Sequence, residues 1–198
     1  DTNARSDIFV HDRLTGETTR ISVDSLGNQA VGESYSPVIA SEGGYVVFTS
    51  YAANLVPNDT NGLSDTFLHN LETGTTVRVS EGSKGEQAEG PYGSERNYLS
   101  GDGRFVLFSS GALNLVDNHQ GWFLKDMATG ILSKIDISPS GISADGNFLV
   151  FHSGSSLVPE DTNNSYDVYV RGPLLTPPPR PKFIPAIPML LLLSKPTP

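Results

Sequence analysis

An all-β chain assembled from repeated four-stranded antiparallel sheets is the fold class that this sequence predicts, on three observations. A block of residues recurs along the chain, each recurrence holds a short unbroken apolar run, and Gly-containing turns separate the runs. The chain has 198 residues, with 37% hydrophobic residues, 18% charged residues, 20 Gly and 14 Pro. That balance supports a core but disfavours a helical bundle or a disordered chain.

The repeat is legible residue by residue. Asp1-Thr-Asn-Ala-Arg-Ser-Asp7-Ile-Phe-Val-His-Asp returns as Asp59-Thr-Asn-Gly-Leu-Ser-Asp65-Thr-Phe-Leu-His-Asn and as Asp161-Thr-Asn-Asn-Ser-Tyr-Asp167-Val-Tyr-Val. A worn copy begins at Asp117, so the steps are 58, 58 and 44 residues. A second landmark, Glu42-Gly-Gly-Tyr-Val-Val-Phe48, recurs as Asp102-Gly-Arg-Phe-Val-Leu-Phe108 and Asp145-Gly-Asn-Phe-Leu-Val-Phe151. Thr-Gly pairs ending at Gly16, Gly74 and Gly130 form the third.

Each unit reads as four strands. The first, strand A, is short and lies around Ser36 to Ile39. The Glu/Asp-Gly pair then turns the chain tightly, since Gly accepts positive φ and the carboxylate caps the turn backbone. Strand B covers Tyr45 to Phe48, Phe105 to Phe108 and Phe148 to Phe151, apolar runs that imply cover on both faces. Strand C covers Ile8 to Val10, Thr66 to Leu68, Trp122 to Leu124 and Val168 to Val170. After the Thr-Gly turn comes strand D, where Arg20 to Val23, Val77 to Ser80 and Lys134 to Ile137 alternate as a half-exposed outer strand would.

Small sheets with buried middle strands and a half-wet fourth are the blades of a β-propeller, because each sheet is sandwiched between neighbours. A β-sandwich would need no motif at recurring offsets. The strands run C, D, then A to D twice, then A, B, C. This gives a partial blade over 1–35, blades over 36–94 and 95–138, and a partial blade over 139–172. The expected architecture is an incomplete ring of about three blades, below the usual four to eight, with open strand edges that invite pairing with another chain.

The signature Ser-x-Asp-Gly-x-aromatic-apolar-apolar-Phe, then Asn-Leu-Val-Pro-x-Asp-Thr-Asn, then Asp-x-aromatic-Val-x-Asp-x-x-Thr-Gly resembles the TolB-like, WD-type propeller repeats of bacterial secreted and envelope proteins. The resemblance covers residues 1–171 and departs at residues 116–123, where the B-to-C connection is shorter. It implies a propeller with a binding or scaffolding role, located outside the cell or in the envelope of a bacterium. It implies no activity.

Residues 1–172 hold all 22 acidic residues and 10 of the 13 basic ones. A phosphate surface would be repelled, so a nucleic-acid partner is not expected. The absence of Cys excludes disulfides and thiolate sites and leaves the redox compartment open. The first residue is Asp1, as expected of a processed form or an excised piece.

Residues 173–198 carry nine of the prolines and include an apolar stretch, Phe183 to Leu193, before Ser-Lys-Pro-Thr-Pro. That stretch is too short and too broken by Pro for a transmembrane helix, which needs about 20 residues. The expectation is that the tail or the open C-terminal strand docks on another copy of the chain.

The candidate metal ligands are Asp1, Asn3 and Asp7; Asp59, Asn61 and Asp65; and Asp161, Asn163 and Asp167. This spacing can place oxygens on one side of a curved loop, as Ca²⁺ requires. It lacks the Gly and Glu of an EF-hand, and the competing reading is an Asx turn tying the loop to strand C.

No nucleophile elbow, zinc-protease motif, phosphate loop or dinucleotide fingerprint occurs. His152 with Ser153, Ser155 and Ser156 has nothing to place an acid and base around it. Trp122 and Phe123 are expected in the core between blades, and His11 and His69 share a repeat position that answers to blade structure. The functional expectation is a non-catalytic structural or interaction module, extracellular or envelope-exposed, that self-associates through open edges into an oligomer or filament. The alternative is a piece of a larger propeller-containing hydrolase or peptidase whose blades gate a catalytic domain.

Overall fold

The computed structural model describes residues 2–118, 120–163, 165–172 and 174. Asp1 and the tail reading therefore lie outside the described residues, apart from Leu174. Among the described residues no helix is long and apolar enough to cross a membrane.

Thirteen strands are described, in four antiparallel sheets. The first sheet pairs β1 (Phe9–His11) with β2 (Thr18–Arg20). The second runs in order β3 (Ser34–Ile39), β4 (Tyr45–Ser50), β5 (Asp65–Asn70) and β6 (Thr76–Arg78). The third repeats that order with β7 (Ser94–Leu99), β8 (Phe105–Ser110), β9 (Gly121–Asp126) and β10 (Leu132–Ile135). The fourth holds β11 (Pro139–Ile142), β12 (Leu149–Ser153) and β13 (Asp167–Arg171). The fold is an incomplete β-propeller of two whole blades and two partial ones. The first strand of each whole blade begins earlier than its apolar residues imply, at Ser34 and Ser94, and pairs through an irregularity in register. The boundaries drawn from sequence at 35/36 and 94/95 therefore cut into β3 and β7.

Burial on both faces follows the period of two. Val46 and Phe48 of β4 pack with Ile8, Ile21 and Phe67, towards the first sheet. Val47 between them packs with Leu68, Val79, Val106, Phe108 and Phe123, towards the third. Leu107 of β8 faces the other way again, into a cluster with Trp122, Ile135 and Leu149 of the fourth sheet. Full burial of each such side chain stabilises by about 1.5–3 kcal/mol. A lone sheet could bury one face only. Stacking lets one strand feed two cores.

The last sheet departs from the pattern as its position requires. Leu149 and Phe151 face the third blade and are buried, whereas Phe148 is 41% exposed. Val168 and Val170 of β13 are 74% and 68% exposed. The expectation that Phe148 is covered is thus overturned, because no described sheet lies beyond it.

The hairpin turns join successive blades. The amide of Glu42 donates to Gly101 O at 3.0 Å, and the amide of Gly101 donates to Ala144 O at 2.8 Å. Gly43, Gly103 and Gly146 all hold positive φ, at 83°, 76° and 71°. A Cβ on Gly103 would overlap the Tyr45 ring, and one on Gly146 would overlap the Phe105 ring, whereas one on Gly43 would meet nothing within 4 Å. Left-handed backbone costs a non-Gly residue about 1–2 kcal/mol, and overpacking costs about 1–3 kcal/mol more. Gly103→Ala and Gly146→Ala should each lose about 2–5 kcal/mol in urea unfolding, and Gly43→Ala only about 1–2 kcal/mol; equal losses at all three would contradict the stacking contact.

Candidate functional site

Strand D departs from the strict alternation expected of it. Ser22 and Ser80 are both fully buried, beside the buried Ile21 and Val79. The cause is a carboxylate on the facing strand. The Ser80 hydroxyl donates to Asp65 Oδ1 at 2.5 Å and accepts from the Thr66 amide at 3.0 Å. In the first sheet Ser22 donates to Asp7 Oδ1 at 2.6 Å and accepts from the Ile8 amide at 3.1 Å. Burying the serine satisfies a carboxylate that the loop has drawn out of water.

The Asp-Thr-Asn loop supplies the other half of this latch. Asn61 Oδ1 accepts from the Leu63 amide at 2.9 Å, which fixes its amide nitrogen on the opposite side. That nitrogen donates to Asp65 Oδ2 at 2.9 Å and to Ala88 O at 3.1 Å, tying the loop to the strand and to the chain entering the next blade. Asn3 repeats the arrangement, accepting from Arg5 at 2.8 Å and donating to Ala30 O at 2.8 Å and to Asp7 Oδ2 at 3.4 Å. Arg78 Nη1 lies 3.6 Å from Asp59 Oδ1, and Arg20 Nε lies 3.8 Å from Asp7 Oδ2.

The electrostatics follow from burial. Burial pushes the Asp65 carboxyl up from its ordinary value, against the pull of Ser80, Asn61 and the Arg78 charge. Asp59 is also raised, by burial first and by the neighbouring Asp65 charge second, with Arg78 opposing. The fold therefore favours the protonated forms, and ionisation costs stability as pH rises through the carboxylate range. Arg78 and Ser80 limit that cost.

A calcium ion would need six to eight oxygens at about 2.3–2.6 Å. In the first two loops an N–H of Asn3 or Asn61 points at the carboxylate where a cation would sit, and the other Asp oxygen takes a serine proton. This donor set fits an internal latch better than an oxygen cage. Among the described residues no cluster of three or more acidic, His or Cys side chains could hold a metal.

The third copy is different. Asn163 Oδ1 still accepts from the Ser165 amide at 2.8 Å. Asp161 Oδ2 takes the hydroxyl of Tyr169. Asp161 Oδ1 and Asp167 Oδ2 are buried without a hydrogen-bond partner. In the worn unit both members of the latch are changed together: Gly121 stands where Asp65 does, and the exposed Asp136 stands where Ser80 does.

Of the two repeat-position histidines, His69 is buried and His11 exposed. His69 Nδ1 lies 2.9 Å from Thr76 Oγ1, whose hydroxyl donates to Val23 O at 2.6 Å across the blade joint. Burial lowers the His69 pKa. Lys125 takes the same position one blade on and donates to Glu81 O at 3.2 Å. Trp122 and Phe123 are buried between blades as expected. His152 Nδ1 faces Ser140 Oγ at 3.2 Å, while Ser153 Oγ accepts from the Ser155 amide at 3.0 Å.

Arg20, Ser22, Arg78 and Ser80 were missed as functional positions in the sequence, although Arg-apolar-Ser recurs with the same 58-residue step as the loops. Ser80→Ala leaves a buried carboxylate oxygen and the Thr66 amide without their partner. It should cost about 1–3 kcal/mol in chemical unfolding, while Ser133→Ala on the exposed side of β10 should fall within about 0.5 kcal/mol of the parent.

No protein-family model matches the chain, and no curated protein matches it. Solved structures do. The crystal structure of the tricorn protease is similar over 85% of this chain and 15% of its own, at 16% identity and TM-score 0.46. A putative TolB from Agrobacterium tumefaciens is similar over 84% of this chain and 50% of its own, at 18% identity and TM-score 0.45. The β-propeller domain of the Trilobed protease from Pyrococcus furiosus is similar over 83% and 45%, at 11% identity and TM-score 0.46. The chain spans half or less of the length of these structures.

Proposed function

We propose that this chain is a non-catalytic propeller module that acts by protein contact. The observation that carries this reading is the open trailing sheet. There β13 has no partner on its outer side among the described residues, and Tyr166, Val168 and Val170 are 75%, 74% and 68% exposed. In the preceding blade the corresponding face is covered by the next sheet. An uncovered apolar face at an unpaired edge is a contact surface. Other copies of the chain are the proposed partner, in an oligomer or filament, because a heterologous contact that does not close propagates. The resemblance of its motifs to repeats of secreted proteins supports a place outside the cell or in a bacterial envelope.

A second reading makes the chain a blade segment of a larger propeller-containing hydrolase or peptidase. The partial sheets at both ends favour it, since further blades of one ring would cover the same edges. The two readings differ in mass and shape. Light scattering of the purified chain, with electron micrographs, should show a concentration-dependent assembly larger than one chain. A strictly monomeric species at high concentration would overturn self-association and leave the larger ring as the arrangement.

We also propose that the Asp-Thr-Asn loops are latches that need no calcium. The melting temperature after chelation should then stay within about 1 °C on adding calcium. A rise of several degrees would instead report a bound ion, since binding at a hundred times Kd stabilises by about 2.7 kcal/mol.

A further inference from the structure

We infer that the outer edge of β13 is a docking site for an extended protein segment carrying Arg-apolar-Ser, which adds antiparallel as the fourth strand of the last blade. This rests on the reading of the open edges as contact surfaces and names the chemistry of what one of them takes.

The argument is a comparison of the chain with itself. In the first two copies of the loop, the neighbouring strand answers Asp7, Asp59 and Asp65. Ser22 reaches Asp7 Oδ1 and Ser80 reaches Asp65 Oδ1, while the arginine two residues earlier approaches a loop carboxylate. The backbone pairs at the same point, with the Ile21 amide on Ile8 O at 2.7 Å and the Val79 amide on Thr66 O at 2.8 Å.

In the last copy Asp161 and Asp167 are present and the loop turn at Asn163 is formed, but Asp161 Oδ1 and Asp167 Oδ2 are buried and unpaired, the counterparts of Asp59 Oδ1, which Arg78 approaches, and of Asp7 Oδ2, which Arg20 approaches. They stand at the repeat positions of Asp59 and Asp65, the acids that Arg78 and Ser80 serve two sheets earlier. Residues 172–198 contain no Arg-apolar-Ser, and the prolines at 173, 177, 178, 179 and 181 lack the amide that a pairing strand must donate.

The occupant is thereby specified in three respects. It is extended, because it must pair with β13. It carries a hydroxyl for Asp167 and, two residues before that, a guanidinium for Asp161 and Asp167. Its residue between them is apolar, as Ile21 and Val79 are. In the second sheet Arg78 lies opposite Phe67 in register, and Arg20 opposite Phe9, with the Arg20 guanidinium 5.6 Å from the Phe9 ring centre. The incoming arginine would lie opposite Tyr169, drawing Asp161 from the tyrosine hydroxyl.

The test uses a labelled peptide with the sequence of residues 75–82, which contains the fourth strand of the second blade, added to the whole chain and read by fluorescence anisotropy. Saturable binding is expected below about 1 mM. Either Arg78→Ala or Ser80→Ala in the peptide should weaken it at least tenfold, and Asp167→Asn in the chain should abolish the preference for the serine peptide. Absence of saturable binding up to that concentration, or equal binding by all three peptides, overturns the proposal. Light scattering without peptide reads the module proposal separately. A chain that assembles yet ignores the peptide keeps its contact function and loses this assignment.

Discussion

Each sheet of this molecule is too small to hold a core, and that constraint organises everything else. Four strands of three to six residues have two faces and no interior, so stability comes only from covering both. Alternation along β4 and β8 divides each apolar run between two neighbours: Val46 and Phe48 one way, Val47 the other. The hairpin glycines then let the turns approach the aromatic residue of the preceding blade. The exposed Val168 and Val170 mark where stacking stops.

Stacking alone would not fix how the outer strands sit, and a buried polar latch does that work. Asp65 is held by Asn61 from the loop side and Ser80 from the strand side, so a single carboxylate joins the B-to-C connection, strand C and strand D. Such a group is costly if left half-served. The worn third unit replaces both partners at once, Gly121 for the acid and Asp136 for the hydroxyl. The last unit keeps the acids, and their second set of donors is not among the described residues.

Much of this architecture was legible in the sequence because it is written as repetition. The Glu/Asp-Gly pairs located the hairpins, the apolar quartets located the central strands, and Trp122 and Phe123 belonged between blades. Three features were not legible. The burial of Ser22 and Ser80 beside Ile21 and Val79 breaks strict alternation, because a period of two counts side chains without asking what bonds them, and their partners lie 15 residues away in sequence. Phe148 was read as buried because its pattern matches Phe105, whereas burial depends on a neighbouring sheet that the pattern does not encode. The Asx turn was one of the two readings of the Asp-x-Asn-x-x-x-Asp spacing, but that spacing does not encode the Asn61 nitrogen that the turn aims at Asp65.

Amide hydrogen exchange measures the central claim most directly, that burial by neighbouring sheets and completion by a fourth strand set local stability. Thr66, whose amide is held by Ser80, and the amides of Val46 to Phe48 and Val106 to Phe108 should exchange only through global unfolding. The Val168 amide, at the repeat position of Thr66, should exchange orders of magnitude faster in the isolated chain. Uniform protection across β5 and β13, or rapid exchange in β4 and β8, would contradict the account.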